Sequence, residues 1–88
     1  MIQIDLSVYG TGTAPIINQW LDFEESMELR VFLEVLDERQ MLPKRFGNTS
    51  DFQDLLVFVN RENVMVQGLH IRLHDRDRVV VLPALAGG

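Results

Sequence analysis

Residues 25–40 read ESMELRVFLEVLDERQ, and within them the apolar spacing changes to that of a helix. Leu29, Phe32, Leu33 and Leu36 fall at i, i+3, i+4 and i+7, which makes one apolar stripe along a helical cylinder. Ser26 and Glu28 stand near its start, where a hydroxyl cap and negative charge are favourable. Arg39 stands near its end, and Pro43 follows as a stop signal. A helix with one apolar stripe covers one face of one sheet, so the flanking segments should supply strands.

They do so on both sides. MIQIDLSVY, residues 1–9, alternates: Ile2, Ile4, Leu6 and Val8 share one face, and Gln3, Asp5 and Ser7 the other. GTGTAP, residues 10–15, is a turn. IINQWLDF, residues 16–23, is a second strand, with Leu21 and Phe23 on one face and Trp20 and Asp22 on the other; the two strands form a hairpin. Beyond the helix, residues 43–54 are a connector rich in turn residues. LLVFVN, residues 55–60, is a strand apolar on both faces. RENVMVQG turns into a short strand around residues 64–66. LHIRLHDRDR is a connector with its tightest turn at residues 75–77, and VVVLP is the last strand. This order predicts an α+β fold: a mixed sheet of four to five strands with one main helix packed on one face. Residues 1–83 form the domain, and residues 84–88 a flexible tail ending in Gly87 and Gly88.

Composition narrows the function. The 88 residues are 47% apolar and 24% charged, which suits one small globular domain. There are no cysteines, so disulfides, thiolate metal sites and a cysteine nucleophile are excluded together. The net charge of −5 argues against nucleic-acid binding, which needs basic surface against phosphates. No secretory leader is legible in the first residues, and no apolar run approaches the ~20 residues that span a bilayer. The expectation is a soluble, cytoplasmic protein without membrane or nucleic-acid partners.

The element order together with the terminal Gly87-Gly88 resembles the ubiquitin-like β-grasp fold. More narrowly it is similar to the sulfur carriers typified by the small subunit of molybdopterin synthase and the carrier of thiamine biosynthesis. Those carriers show valine-asparagine-glycine after the third strand; this chain has Val59 and Asn60, then Arg61 in the glycine place. They continue with glycine-leucine-x-x-x-leucine-x-aspartate-glycine-aspartate-x-valine; Gly68, Leu69, Leu73, Asp75, Asp77 and Val79 match, and Arg76 replaces the middle glycine. Pro83, Ala86, Gly87 and Gly88 match the family ending, with Ala84 and Leu85 substituted, and SMELRVFLEVL fits the spacing of the helix opening. The two arginines imply either turns that do not need positive φ or strained arginines.

The resemblance implies a role without catalysis of its own. A ubiquitin-activating-like adenylyltransferase spends ATP to adenylate the Gly88 carboxylate, a sulfur donor converts it to a thiocarboxylate, and a sulfur-acceptor synthase subunit receives the sulfur. No cofactor would be bound; ATP is consumed by the partner. Gly87 and Ala86 would form a slender tail able to thread a narrow, water-excluding site. The helix and the long connector after it favour the molybdopterin-type carrier over the thiamine type. The alternative is a ubiquitin-like modifier or interaction module; with Lys44 the sole lysine, self-chains are disfavoured.

Three further groups of residues bear on binding. With Leu55, Val57 and Val59 toward the helix, Leu56 and Phe58 face away; with Val79 and Val81 inward, Val80 and Leu82 face away. In a β-grasp sheet the last strand lies beside the third, so Phe58, Val80 and Leu82 make a candidate partner-binding patch. His70 and His74 have helical metal-ligand spacing but lie in a connector, so they are expected to be solvated. Arg72, Arg76 and Arg78 are interleaved with Asp75 and Asp77, and are expected to form a solvated, charge-balanced turn.

Overall fold

The computed structural model describes residues 1–10, 14–42, 52, 55–64 and 68–83. Strands β1 (Ile2–Tyr9) and β2 (Pro15–Phe23) precede helix α1 (Leu29–Glu38); β3 (Leu55–Val59), β4 (Glu62–Asn63) and β5 (Arg78–Pro83) follow it. They form a five-stranded sheet in the order β2-β1-β5-β3-β4. The β1–β5 pair is parallel and the others are antiparallel. The architecture is a ubiquitin-like β-grasp, a mixed sheet with one helix on one face. The expected connector at residues 43–54, apart from Phe52, and the tail at residues 84–88 lie outside the described residues, as do Lys44 and the stop signal at Pro43.

The alternating pattern decides what is buried. Ile4, Leu6 and Val8 from β1, Leu55 and Val57 from β3, and Val79 and Val81 from β5 all point inward and are buried. The helix stripe meets them, and Leu29, Phe32, Leu33 and Leu36 are fully enclosed. On the hairpin side Leu21 is buried, and Phe23 meets the Phe32 ring edge-on with centroids 5.6 Å apart. The Arg39 guanidinium lies over the same Phe23 ring at 5.9 Å, so a cation at the helix end also covers core aromatic surface.

The helix ends are held differently from expectation. Glu28 is the N-cap, but neither its side chain nor that of Ser26 caps the helix. The first N–H groups instead donate to the connector: Leu29 to the Ile71 carbonyl at 2.8 Å, and Arg30 to the Leu69 carbonyl at 2.9 Å. The Leu73 N–H returns a bond to the Met27 carbonyl at 2.8 Å. With two otherwise unpaired donors filled by backbone, no side-chain cap is required. Ser26 accepts from the Arg72 guanidinium at 3.2 Å instead. At the other end Gln40 is left-handed at φ 58°; its N–H donates to the Asp37 carbonyl, and the Met41 N–H to the Leu36 carbonyl. That is a Schellman closure, made here with glutamine where glycine is usual.

The short strand is also displaced. It was expected around residues 64–66, whereas β4 is Glu62–Asn63; Val64 is buried, and residues 65–67 lie outside the described residues. Phe58 pairs with Asn63 and Val59 with Glu62, leaving only Asn60 and Arg61 as the loop. Both have positive φ, 52° and 74°, as a two-residue type I′ hairpin requires. A loop that tight returns the chain into register at once, so pairing starts two residues earlier.

Candidate functional site

Opposite the helix, the sheet carries a second row of side chains. The β3–β5 register sets Phe58 beside Val80 and Leu56 beside Leu82. The β1–β5 register sets Ser7 beside Val80, and the hairpin sets Asn18 beside Ser7. Phe58, Val80 and Leu82, the three residues singled out from the alternation, are therefore contiguous, and each is half-buried. Leu56, left out of that set although it shares the parity of Phe58, completes the cluster at 37% exposure. Ser7 at the centre is 3% exposed, and its hydroxyl lies 3.4 Å from Asn18 Oδ1. Ile16 and Trp20 on the edge strand β2 are well exposed, at 64% and 53%. The periodicity of β2 placed Trp20 on this face, but nothing in it indicated how open the ring is.

The strand β5 gives the patch its direction. It runs parallel to β1 from Arg78 to Pro83, passing Val80 and Leu82 on the outer face before Pro83 pairs with Leu55. Ala86, Gly87 and Gly88 lie outside the described residues.

At the opposite end of β5 the sequence suggested a solvated turn, and the structure places a bonded junction. The Asp75 carboxylate accepts from the Gln3 N–H at 2.7 Å. Asp77 accepts from the His74 N–H at 2.7 Å and from Asn60 Nδ2 at 3.0 Å. Asn60 Oδ1 accepts from the Arg78 N–H at 3.0 Å, and the Asn60 N–H donates to the Arg78 carbonyl at 2.9 Å. The Arg76 N–H donates to the Gln3 carbonyl at 2.7 Å, and the Asp5 N–H to the Asp77 carbonyl. Asn60, Asp75 and Asp77 thus pin the start of β1, the end of β3 and the start of β5 together. Arg61 and Arg76 both occupy left-handed backbone, at φ 74° and 69°, which decides for strained arginines over turns without positive φ.

His70 and His74 are both exposed, and His74 Nδ1 lies 4.0 Å from an Asp77 oxygen. Among the described residues no group of three or more His, Cys, Asp or Glu side chains could hold a metal ion. No helix among them is long and apolar enough to cross a membrane.

Comparison with known proteins supplies the rest. The profile of the ThiS family matches residues 13–88. The solution structure of the Haloferax volcanii HVO 2177 protein is similar at a TM-score of 0.64 with 23% identity, over 99% of this chain and 87% of that one. At that identity the likeness shows the shared fold. No curated protein matches the chain.

Proposed function

This chain belongs to the ThiS family of small ubiquitin-like sulfur carriers, which act with partner enzymes, and on that footing we propose that its carrier atom is the terminal carbon of Gly88. A carboxylate is a poor electrophile, because its charge is delocalised and oxide is its leaving group. In the proposed sequence the partner activates it: a Gly88 oxygen attacks the α-phosphorus of ATP, pyrophosphate departs, and an acyl-adenylate forms. Sulfide from a donor then attacks the acyl carbon, AMP leaves, and the thiocarboxylate carries a nucleophilic sulfur to the acceptor synthase. Gly87 and Gly88 lack Cβ atoms, so a site that excludes water can close around the acyl group. The pathway is of the molybdopterin type, in keeping with the long connector between α1 and β3, and its setting is the cytoplasm.

The observation that supports this reading is the β3–β5 register. Phe58 sits against Val80 and Leu56 against Leu82, on the strand that leads into the tail. A partner seated on this apolar patch lies beside the strand that ends at Pro83. Contiguous apolar surface that the helix leaves uncovered is of the kind that marks interaction sites.

The test is intact mass after incubation with ATP, a purified adenylating enzyme from the same genome and a sulfide source. The expected result is a gain equal to replacing one oxygen by sulfur, located in the C-terminal peptide. Deleting Gly88 should abolish the gain, and appending one residue after Gly88 should do the same, because the carboxylate is displaced from the site that adenylates it. Thiolation of the extended protein as readily as the original would refute the proposal. Amide-linked adducts in its place would support the modifier reading.

A further inference from the structure

The end of the sheet opposite Pro83 carries three arginines: Arg61 in the β3–β4 loop, Arg76 in the turn before β5, and Arg78 as its first residue. All three are exposed. In the sequence Asp75 and Asp77 alternate with Arg76 and Arg78. The geometry shows that these carboxylates are not ion-paired with the arginines. One Asp75 oxygen is bound to the Gln3 N–H, and both Asp77 oxygens are bound, to Asn60 Nδ2 and the His74 N–H. These carboxylates are turned toward backbone and amide donors. Asp5 lies across the parallel pair from Arg78, and Glu62 follows Arg61. Even so, among the described residues none of the three guanidiniums has an ion-pair partner.

The backbone adds a second, independent observation. Arg61 and Arg76 both hold positive φ, where a side chain with a Cβ costs about 1–2 kcal/mol that glycine avoids. The two strained turns are bonded to one another through Asn60 and Asp77. Strain at two coupled positions, each presenting the same planar, always-charged group to solvent, is out of keeping with a turn whose only task is to reverse the chain.

We propose that the unpaired guanidiniums of Arg61, Arg76 and Arg78 form an arginine margin of the docking surface, which receives acidic side chains of the adenylating partner. The inference rests on the carrier reading above. Arg78 belongs to the same strand and the same outer face as Val80, so the arginines continue the apolar patch rather than forming a separate site. β5 runs six residues from Arg78 to Pro83, roughly 16 Å at the rise of a strand. The margin is therefore set well back from Pro83, and the counterpart proposed for it is protein carboxylate. A net charge of −5 opposes approach to the extended anionic surfaces of nucleic acid or membrane, while a local arginine fork still pairs with carboxylates bidentately.

The experiment compares two double variants with the unaltered protein. Arg61→Gly/Arg76→Gly removes the charges and the strain together. Its melting temperature should rise, while its Kd for the purified adenylating enzyme should increase about three- to tenfold at low salt, the loss expected for two exposed ion pairs. The salt dependence of binding should flatten in parallel. Arg30→Gln/Arg39→Gln makes the same change in net charge on the helix side, and should leave that Kd within about twofold. Unchanged affinity and salt dependence in the glycine variant, with Gly88 thiolation of the unaltered protein intact, would overturn the arginine inference and leave the carrier reading standing. Equal weakening by the helix-side variant would overturn it also, since net charge alone would then be responsible. A fall in melting temperature would remove the strain argument and the inference with it. Absence of thiolation in the unaltered protein would bring down the carrier reading itself, and this inference with it.

Discussion

Val79, Val80 and Val81 are the same residue three times in succession, and the sheet gives them two environments. Val79 and Val81 are completely enclosed beneath the helix, with Leu6 and Val57 as strand neighbours. Val80 lies on the other side, half-buried between Ser7 and Phe58. The chemistry of the side chain is constant, so the difference comes from what covers each face. One helix supplies one apolar stripe, and it encloses the inner row. In the outer row Ser7 is buried, whereas Leu56 and Trp20 are open. Equal apolarity on two faces of one strand therefore divides into an enclosed row and a partly exposed one.

The sharpest way to break this comparison is to place the same charge at adjacent residues of β3. Val57→Asp puts a carboxylate into a fully enclosed site with no partner, and should cost more than about 4 kcal/mol, enough to unfold much of a domain this small. Chemical denaturation or loss of near-ultraviolet dichroism will measure it. A folded Val57→Asp protein would show that the inner face is not the core. Next in size is Leu33→Ala on the helix, which should destabilise by about 2–5 kcal/mol, because Leu33 is fully buried where the stripe meets the sheet. A shift below about 0.5 kcal/mol in urea unfolding would mean that the helix presents another face. The smallest effect on folding belongs to Phe58→Asp, one residue from Val57 and half-exposed. It should change stability by less than about 1 kcal/mol while sharply weakening capture by the adenylating enzyme in a titration. Should Phe58→Asp unfold the protein as Val57→Asp does, the distinction between the two faces collapses.

The inner face was readable from the chain because it rests on spacing alone. Leu29, Phe32, Leu33 and Leu36 at helical intervals, and Ile4, Leu6 and Val8 at alternate positions, all proved buried. Trp20 and Asp22 were placed outward by the same rule. The β-grasp order followed from one helix set among strands, and the family resemblance rested on Gly68, Leu69, Leu73, Asp75, Asp77 and Val79 with the terminal glycines. What spacing did not reveal was which backbone groups those motif residues satisfy. Ser26 and Glu28 looked like caps, yet the carbonyls of Leu69 and Ile71 perform that task from 40 residues downstream. Asp75 and Asp77 looked like solvated charges, yet they bind N–H and amide groups from three separate elements.

The physical reason is range. Periodicity is local: side chains two apart on a strand, or three and four apart on a helix, share a face whatever lies beyond. The sequence by itself therefore determined the elements, the row of residues each buries, and the kind of domain they make. Hydrogen bonds between distant loops, and the cover over each face, depend on which strands lie side by side. Only the order β2-β1-β5-β3-β4 brought Phe58 to Val80 and Asn60 to Asp77. Only the folded backbone showed that Arg61 and Arg76 both adopt the left-handed conformation, because φ at a turn is imposed by the partners that close it.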